Sequence, residues 1–339
     1  MNMLKVCIIG QSGHGIHVLG DWQKQKTPVW IAAVSDGGEG RGCDELLDAC
    51  RAIDPAVAKY RDYRAMLDAE QPDVAVINGY CGANTAVSIE CMRRGIHVFA
   101  EKPAAVNLAE LKLLEESWEK SGSVYSSMMA IRFTPWFQTA KLLLSDGILG
   151  DVRLIQAQKS YRMGFRGEMY RNGHWYGGSI PWVGSHAIDW IYWLTGRKFL
   201  AVSAFQSRCA NRGNQDLETT AQCQFLLEKE SLAQVSLDYL RPEQAETHDD
   251  DRIRLAGTKG ILEIKEKNVW LIDRQGTHQV PLLSSNTTAF AEFIKKVCGQ
   301  KNQAVSQEDA FYITRVCLKA RESAEKSGEL IPISVETDI

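Results

Sequence analysis

The sequence has no Cys-x-x-Cys pair, no cysteine–histidine cluster, no block of basic residues and no apolar run long enough to span a bilayer. Each absence removes a class of protein. Nine cysteines are an odd number, and without metal-ligand spacing they read as reduced thiols of a cytoplasmic protein, with no structural zinc. A formal net charge of −3 with no basic patch argues against nucleic acid and anionic membrane surfaces as partners. Hydropathy provides no membrane helix. The N-terminus runs from Met1 straight into a strand-like Val6-Cys7-Ile8-Ile9, without the basic n-region and cleavage site of a secretory signal. No internal repeat or low-complexity linker is visible. What remains is ordinary globular composition, 45% hydrophobic and 24% charged, over 339 residues, which is enough for two domains.

The first third alternates strands and helices. Lys5–Ile9 is a β-rich run that stops at Gly10-Gln11-Ser12-Gly13-His14-Gly15, and a helix-like Ile16–Lys24 follows. Strand, glycine loop, helix is the context in which backbone N–H groups and a helix N-terminus hold a pyrophosphate. Gly10 and Gly15 fit the outer positions of Gly-x-Gly-x-x-Gly, while Ser12 takes the middle one and adds a hydroxyl. A second strand, Val29–Val34, leads to Asp36, about twenty residues beyond the loop, where an acid accepts hydrogen bonds from adenosine ribose hydroxyls. That carboxylate repels a 2′-phosphate and favours NAD. Arg41 nearby keeps NADP compatible, and an Asx turn into Gly37-Gly38 is the alternative role for Asp36.

Helices are expected near Cys43–Ile53 and Tyr63–Ala69, then a buried strand Val74–Ile77 followed by Asn78, which joins the cofactor set. Asn84 reads as the N-cap of a helix Thr85–Arg94 closed by Gly95, and Asn107 with Glu110 as a capping box for a helix to about Ser121. Between them lies Ile96–Ala100, running directly into Glu101-Lys102-Pro103. A carboxylate and an ammonium at the carboxyl end of a parallel strand sit where open α/β sheets place their ligands. Pro103 keeps Lys102 out of a helix, so its side chain is free to face the crevice. One more strand, Val124–Met129, completes a doubly wound parallel sheet.

Helix–strand alternation stops near Ala130. After a helix Thr134–Ser145, β-rich stretches follow at Val152–Ser160, Leu200–Arg208, Thr219–Leu227, Ser231–Tyr239, Ile253–Ala256, Ile261–Lys265 and Val269–Asp273. Hairpin turns are read at Glu228–Glu230 and Gly257–Gly260, so this half is a mostly antiparallel α+β domain, closed by a helix that Ser306 and Asp309 cap. The division expected is 1–125 and 126–339. Between Tyr161 and Gly184 the chain is too glycine-rich and polar for core. Arg162, Arg166, His174, Trp175 and Trp182 offer aromatic faces beside hydrogen-bond donors, which suits a polyhydroxylated ligand. Trp190 and Trp193, with Ile191 and Leu194, read as the buried face of the next helix, and His248 with Asp249–Asp251 as a solvated loop without metal.

Taken together, the glycine loop, Val34-Ser35-Asp36, the Glu-Lys-Pro run, Arg132-Phe133, Gly147–Gly150, Gly177-Gly178 with Gly184-x-His186-x-x-Asp189, and Gly257–Gly260 resemble the glucose–fructose oxidoreductase/inositol dehydrogenase family (Gfo/Idh/MocA) almost end to end. The resemblance implies an N-terminal Rossmann domain and a C-terminal domain with a large open sheet that makes a homodimer or homotetramer. It implies hydride transfer between a nicotinamide and a carbon of a sugar, sugar acid or cyclitol, with Lys102 between nicotinamide and substrate and His186 taking the hydroxyl proton. The implied cofactor set is Gly10, Ser12, Gly13, His14, Gly15, Asp36, Asn78, Glu101 and Lys102. The implied substrate set is Arg162, Arg166, His174, Trp175, Trp182 and His186.

Two departures stand out. Trp182 replaces the family's usual aspartate four residues before the histidine, and Gly79–Asn84 replaces a Thr-Pro-Asn-x-x-His run. Two rivals to a dehydrogenase follow: a glycoside-cleaving enzyme that oxidises and re-reduces one carbon, and a dinucleotide sensor that has lost the chemistry.

Overall fold

The computed structural model describes residues 3–24, 26–37, 42–285 and 287–333. The chain divides into two compact units, and the division does not follow the chain linearly: the first holds Met1–Met129, His174–Gly177 and Thr287–Thr314, the second the remainder.

The first unit is built on a six-stranded sheet: β1 (Leu4–Ile9), β2 (Val29–Ser35), β3 (Ala58–Tyr60), β4 (Val74–Ile77), β5 (His97–Ala100) and β6 (Tyr125–Ser127). The order is β3-β2-β1-β4-β5-β6 and every pairing is parallel. This is the strand order of dinucleotide-binding doubly wound sheets. Val6–Ile9 and Val74–Ile77 are wholly buried. Helices cover both faces of such a sheet, so its strands read as unbroken apolar runs and not as alternations. The helix Tyr63–Glu70 begins at Asp62, whose carboxylate accepts the Arg64 N–H. Leu108–Ser121 begins at Asn107, which accepts the Glu110 N–H while its amide donates to the Glu110 carboxylate, the reciprocal box expected there. An unanticipated helix, Ala289–Val297, starts from a Thr288 cap and lays Phe290 and Phe293 on Phe99, with ring centroids 5.3 and 5.2 Å away.

Asn84 is not a cap. The helix runs Cys81–Arg93 from an extended Tyr80, and Asn84 lies inside it, donating back to the Gly79 carbonyl. The start moves four residues upstream because Cys81-Gly82-Ala83 continues the helical backbone directly from the strand exit.

The second unit holds a nine-stranded sheet of β7 (Val152–Arg162), β8 (Phe199–Ser207), β9 (Thr220–Leu227), β10 (Ser231–Arg241), β11 (Asp249–Gly257), β12 (Ile261–Lys265), β13 (Asn268–Asp273), β14 (Gly276–Val280) and β15 (Ile331–Pro332). The order is β14-β13-β12-β11-β7-β10-β9-β8-β15, antiparallel except for β7 beside β10. The helix Ser185–Thr195 buries Trp190, Ile191 and Leu194, with Trp190 4.8 Å from Phe137 of the helix Pro135–Ser145. Trp193 is only half-buried and lies under the Arg132 and Lys141 cations. On the sheet itself, Leu154, Leu232 and Leu226 stand in one cross-strand row and are 42%, 50% and 45% exposed.

Two further expectations are corrected. The run before Gly184 is not excluded from the interior: Tyr176, Ile180, Trp182 and Val183 are all buried, because the turn between the two glycines and the helix folds inward. Asp249–Asp251 is not loop. It opens β11, pairs with Ser160 and Tyr161 of β7, and is half-buried; only His248 is exposed. All nine cysteines are free thiols. Among the described residues no helix is long and apolar enough to cross a membrane, and no group of histidine, cysteine and carboxylate side chains is arranged to hold a metal ion.

Candidate active site

In the first unit, the carboxyl ends of β1, β2, β4 and β5 carry the glycine loop, Asp36, Asn78 and Glu101 in turn. The loop is tied to its neighbours by backbone: Gly10 N–H donates to Ser35 O at 2.8 Å, and Ser12 N–H donates to Asn78 O at 2.7 Å. Gly10 has φ +81°, and a Cβ there would lie 2.5 Å from the Gly79 nitrogen, so only glycine passes between the strand ends. A Cβ at Gly13 would lie 2.4 Å from Glu101 Oε2, and one at Gly15 would lie 2.2 Å from the Asn78 amide nitrogen. The loop is therefore packed directly on two polar side chains.

Glu101 is fully buried. Its Oε2 accepts the His14 backbone N–H at 2.6 Å and meets His14 Nδ1 at 2.7 Å, while Oε1 accepts the Lys102 N–H at 2.9 Å. Burial pushes this carboxyl up, but the His14 imidazole, the Lys102 charge and the His14 N–H outweigh it and hold the pKa at about 2. Lys102 follows in non-helical backbone with only 2% of its surface exposed. Asn78 is wholly buried, and neither its amide nitrogen nor its oxygen has a hydrogen-bond partner. An orphaned buried amide is rare in a finished interior. Asp36 is half-buried and accepts the Gly42 N–H at 3.2 Å. Gly38 and Arg41 lie outside the described residues. These features fit a dinucleotide: a loop without side chains in the way, an acid after β2 and a spare amide after β4.

His174 and Trp175 belong to this same unit. Trp175 stands 5.9 Å from Tyr80, and the His174 carbonyl comes so close to Gly82 that a Cβ there would be 2.3 Å away. His174 itself is exposed.

The other four substrate candidates lie in the second unit. A single π-turn, Ile180–Gly184, feeds the helix Ser185–Thr195, and such turns recur at functional sites. Trp182 sits in the π-turn, 8% exposed, and His186 in the first helical turn, 6% exposed. Asp189 has a structural task. It forms a buried pair with Arg132, whose Nε reaches both carboxylate oxygens at 3.0 and 2.9 Å. That pair fixes the His186 helix to the turn Ala130–Phe133.

Arg162 ends β7 and Arg166 follows in the next loop, its Nη2 donating to the Arg162 carbonyl at 2.9 Å. The Arg166 guanidinium lies 4.5 Å over Tyr239 and 5.1 Å over Tyr170, and Tyr170 meets Trp182 edge-on at 6.2 Å. Tyr161 stacks between Tyr239 and His248. Beneath them Lys159, 2% exposed, pairs with Asp251 at 2.5 Å and lies 4.8 Å over Tyr161. Burial, then Asp251 and Asp249, raise the Tyr161 hydroxyl well above its usual value. Lys159, Tyr239 and Asp251 escaped the sequence reading. The available signal was Lys159 itself, a charge on the inward-facing side of a strand whose alternate residues are Ile155 and Ala157.

The fold is thus that of a two-unit chain whose first sheet has the strand order of dinucleotide-binding domains. Residues 4–128 match the oxidoreductase family with an NAD-binding Rossmann fold, and residues 137–263 match the GFO/IDH/MocA C-terminal domain. The chain belongs to the GFO/IDH/MocA family of oxidoreductases.

A solved putative oxidoreductase from Thermotoga maritima is 40% identical, with TM-score 0.93 over 97% of this chain and 100% of that one. Myo-inositol 2-dehydrogenase of the same organism is 23% identical over 79% of this chain and 82% of its own. A levoglucosan dehydrogenase solved with NADH shares the fold at 16% identity, with TM-score 0.81 over 98% of this chain and 99% of that one. Against several other curated relatives the chain spans only 28–57% of their length.

Proposed function

We propose that the protein is an NAD(P)-dependent oxidoreductase that moves a hydride between nicotinamide and a hydroxyl-bearing carbon of a sugar, sugar acid or cyclitol. The observation that carries this reading is Glu101–Lys102: a lysine 2% exposed at the carboxyl end of β5, held by a fully buried carboxylate that is itself bonded to the glycine loop. A lysine is buried at such a point for a task. Gly10, Ser12, Gly13, His14 and Gly15 would hold the pyrophosphate, Asp36 the adenosine ribose, and Asn78 would offer its unpaired amide. Asp36 favours NAD over NADP. When bound, the nicotinamide supplies the two-electron hydride acceptor.

For the chain's own residues, His186 takes the hydroxyl proton and the Lys102 ammonium stabilises the developing alkoxide. Arg162, Arg166, His174, Trp175 and Trp182 contact the substrate. Myo-inositol 2-dehydrogenase, named for a cyclitol, supports that class. Free cysteines suit a reducing cytoplasm. The exposed Leu154–Leu232–Leu226 row supports a homodimer or homotetramer.

The test is a titration with NADH and NADPH, following energy transfer from the nine tryptophans, and then turnover of sugars and cyclitols. NADH is expected to bind more tightly than NADPH. Lys102→Ala and His186→Ala are expected to lower turnover by on the order of 10²–10⁴-fold with NADH binding retained. A second reading rests on Trp182, a buried aromatic where the family's aspartate usually stands: a dinucleotide sensor, in which wild type and both variants bind NADH and none turns over.

A further inference from the structure

We infer that the ligand recognised by the second unit is a monoanionic sugar acid whose carboxylate is bound by Arg162 and Arg166. This rests on the oxidoreductase reading above and narrows its substrate class. Nε of both arginines is shielded from solvent without a hydrogen-bond partner. Among the described residues neither guanidinium has a carboxylate within ion-pair distance, whereas Lys159, three positions before Arg162, is paired with Asp251. Two guanidinium nitrogens shielded from solvent and left unpaired, on residues joined by the Arg166 Nη2 bond to the Arg162 carbonyl, are costly unless a ligand completes them.

The surroundings select the ligand. Tyr239 and Tyr170 occupy the flat surroundings of Arg166, and a stacked guanidinium keeps its in-plane donors for a planar partner. A carboxylate is planar and accepts two such bonds. Charge balance sets its sign. Asp251 neutralises Lys159, and Asp249 is the other acid acting on Tyr161 and His248. Around Tyr161 and His248 the two arginines thus outnumber the one acid that no lysine takes up, which favours an anionic group there, and the planar donors favour a carboxylate over a tetrahedral phosphate. The excess is felt locally: partial desolvation, then Arg166, and further Arg162 and Lys159, lower the His248 imidazole pKa against the opposing Asp249. The arginines are also continuous with the chemistry-bearing helix, through Tyr170 to Trp182, four residues before His186. Aromatic rings beside paired donors suit a sugar ring with a charged end.

The experiment measures binding to the full chain, with and without NADH, of matched pairs at constant ionic strength: D-glucuronate against D-glucose, D-galacturonate against D-galactose, D-gluconate against D-glucitol. Glucose 6-phosphate is the phosphate arm. At least one acid is expected to bind roughly 10- to 100-fold more tightly than its neutral partner, as charge-assisted bonds allow. Arg162→Gln and Arg166→Gln are expected to abolish that preference, and Arg162→Lys to keep part of it. NADH affinity unchanged in all three variants reports on the first unit, and far-UV circular dichroism and an unfolding midpoint close to wild type certify the fold of the second. The inference is overturned if no acid outbinds its neutral partner, if the preference survives both glutamine substitutions, or if the sugar phosphate binds more tightly than every acid. Failure of NADH to bind the wild type is a separate signal, read in the cofactor channel, and counts against the oxidoreductase reading itself.

Discussion

Glu101 in the first unit is fully buried and Arg162 and Arg166 in the second are half-buried with their Nε atoms shielded from solvent, yet these charged groups are finished differently. Glu101 has every oxygen engaged by the chain, two bonds from His14 and one from Lys102. The arginines leave their Nε atoms unpaired. The difference separates two tasks. On the function proposed above, the glycine loop is set in advance by internal partners, whereas the arginines, like the Asn78 amide, keep bonds open for a ligand.

The largest expected effect tests a finished pair. Asp189→Asn removes one partner of the buried Arg132 pair and leaves the guanidinium charge uncompensated. Denaturant unfolding should show a loss of about 3–5 kcal/mol. A loss below about 1 kcal/mol would mean that the pair is not what holds the His186 helix. A smaller effect is expected from Gly13→Ala, whose Cβ would collide with Glu101 Oε2 at 2.4 Å and force the carboxylate off His14. NADH affinity should fall roughly 10-fold or more, one lost charge-assisted bond in magnitude, with modest change in stability. Unchanged affinity would show that the loop does not depend on Glu101.

The third prediction concerns pH. The Glu101 carboxyl is held at about 2, below its ordinary 4.5, so its contribution is fully present above pH 4.5 and is lost as pH falls from there through about 2. Unfolding midpoints of wild type and Glu101→Gln should therefore converge over that window, with the variant losing less on acidification. Parallel curves would remove Glu101 as the acid-sensitive group. The smallest effect sharpens the cofactor comparison: Asp36→Ser should narrow the NADH preference over NADPH by a few-fold, since it removes repulsion without adding a cation. A preference that does not move assigns Asp36 to its turn with Gly42 instead.

Much of the first unit was legible because its signals are local. A strand buried on both faces must be apolar throughout, as Val74–Ile77 is, and caps such as Asn107 act on atoms three residues away. Where a cap signal misled, at Asn84, the side chain found a carbonyl five residues upstream and the helix began earlier. The second unit was less legible because its polar residues are explained only by distant strands. Asp251 is half-buried beside Lys159, 92 residues earlier, and without that partner it reads as a solvated acid. Tyr239 and Tyr170 become an arginine platform only once β10 lies against β7.

The amino-acid order alone determined the alternating strands and helices, the glycine loop, the acid after β2 and the Glu-Lys-Pro run at a strand end, since each follows from neighbours within a few residues. Tertiary structure decided the rest: that Glu101 pins the loop through His14, that Asn78 is left with an idle amide, that Asp189 serves Arg132, and that Arg162 and Arg166 face no carboxylate. The reason is physical. Backbone preference and apolar period are properties of a short stretch, whereas which buried charges are paired, and which are left waiting, depends on side chains that only folding brings within three ångströms of one another.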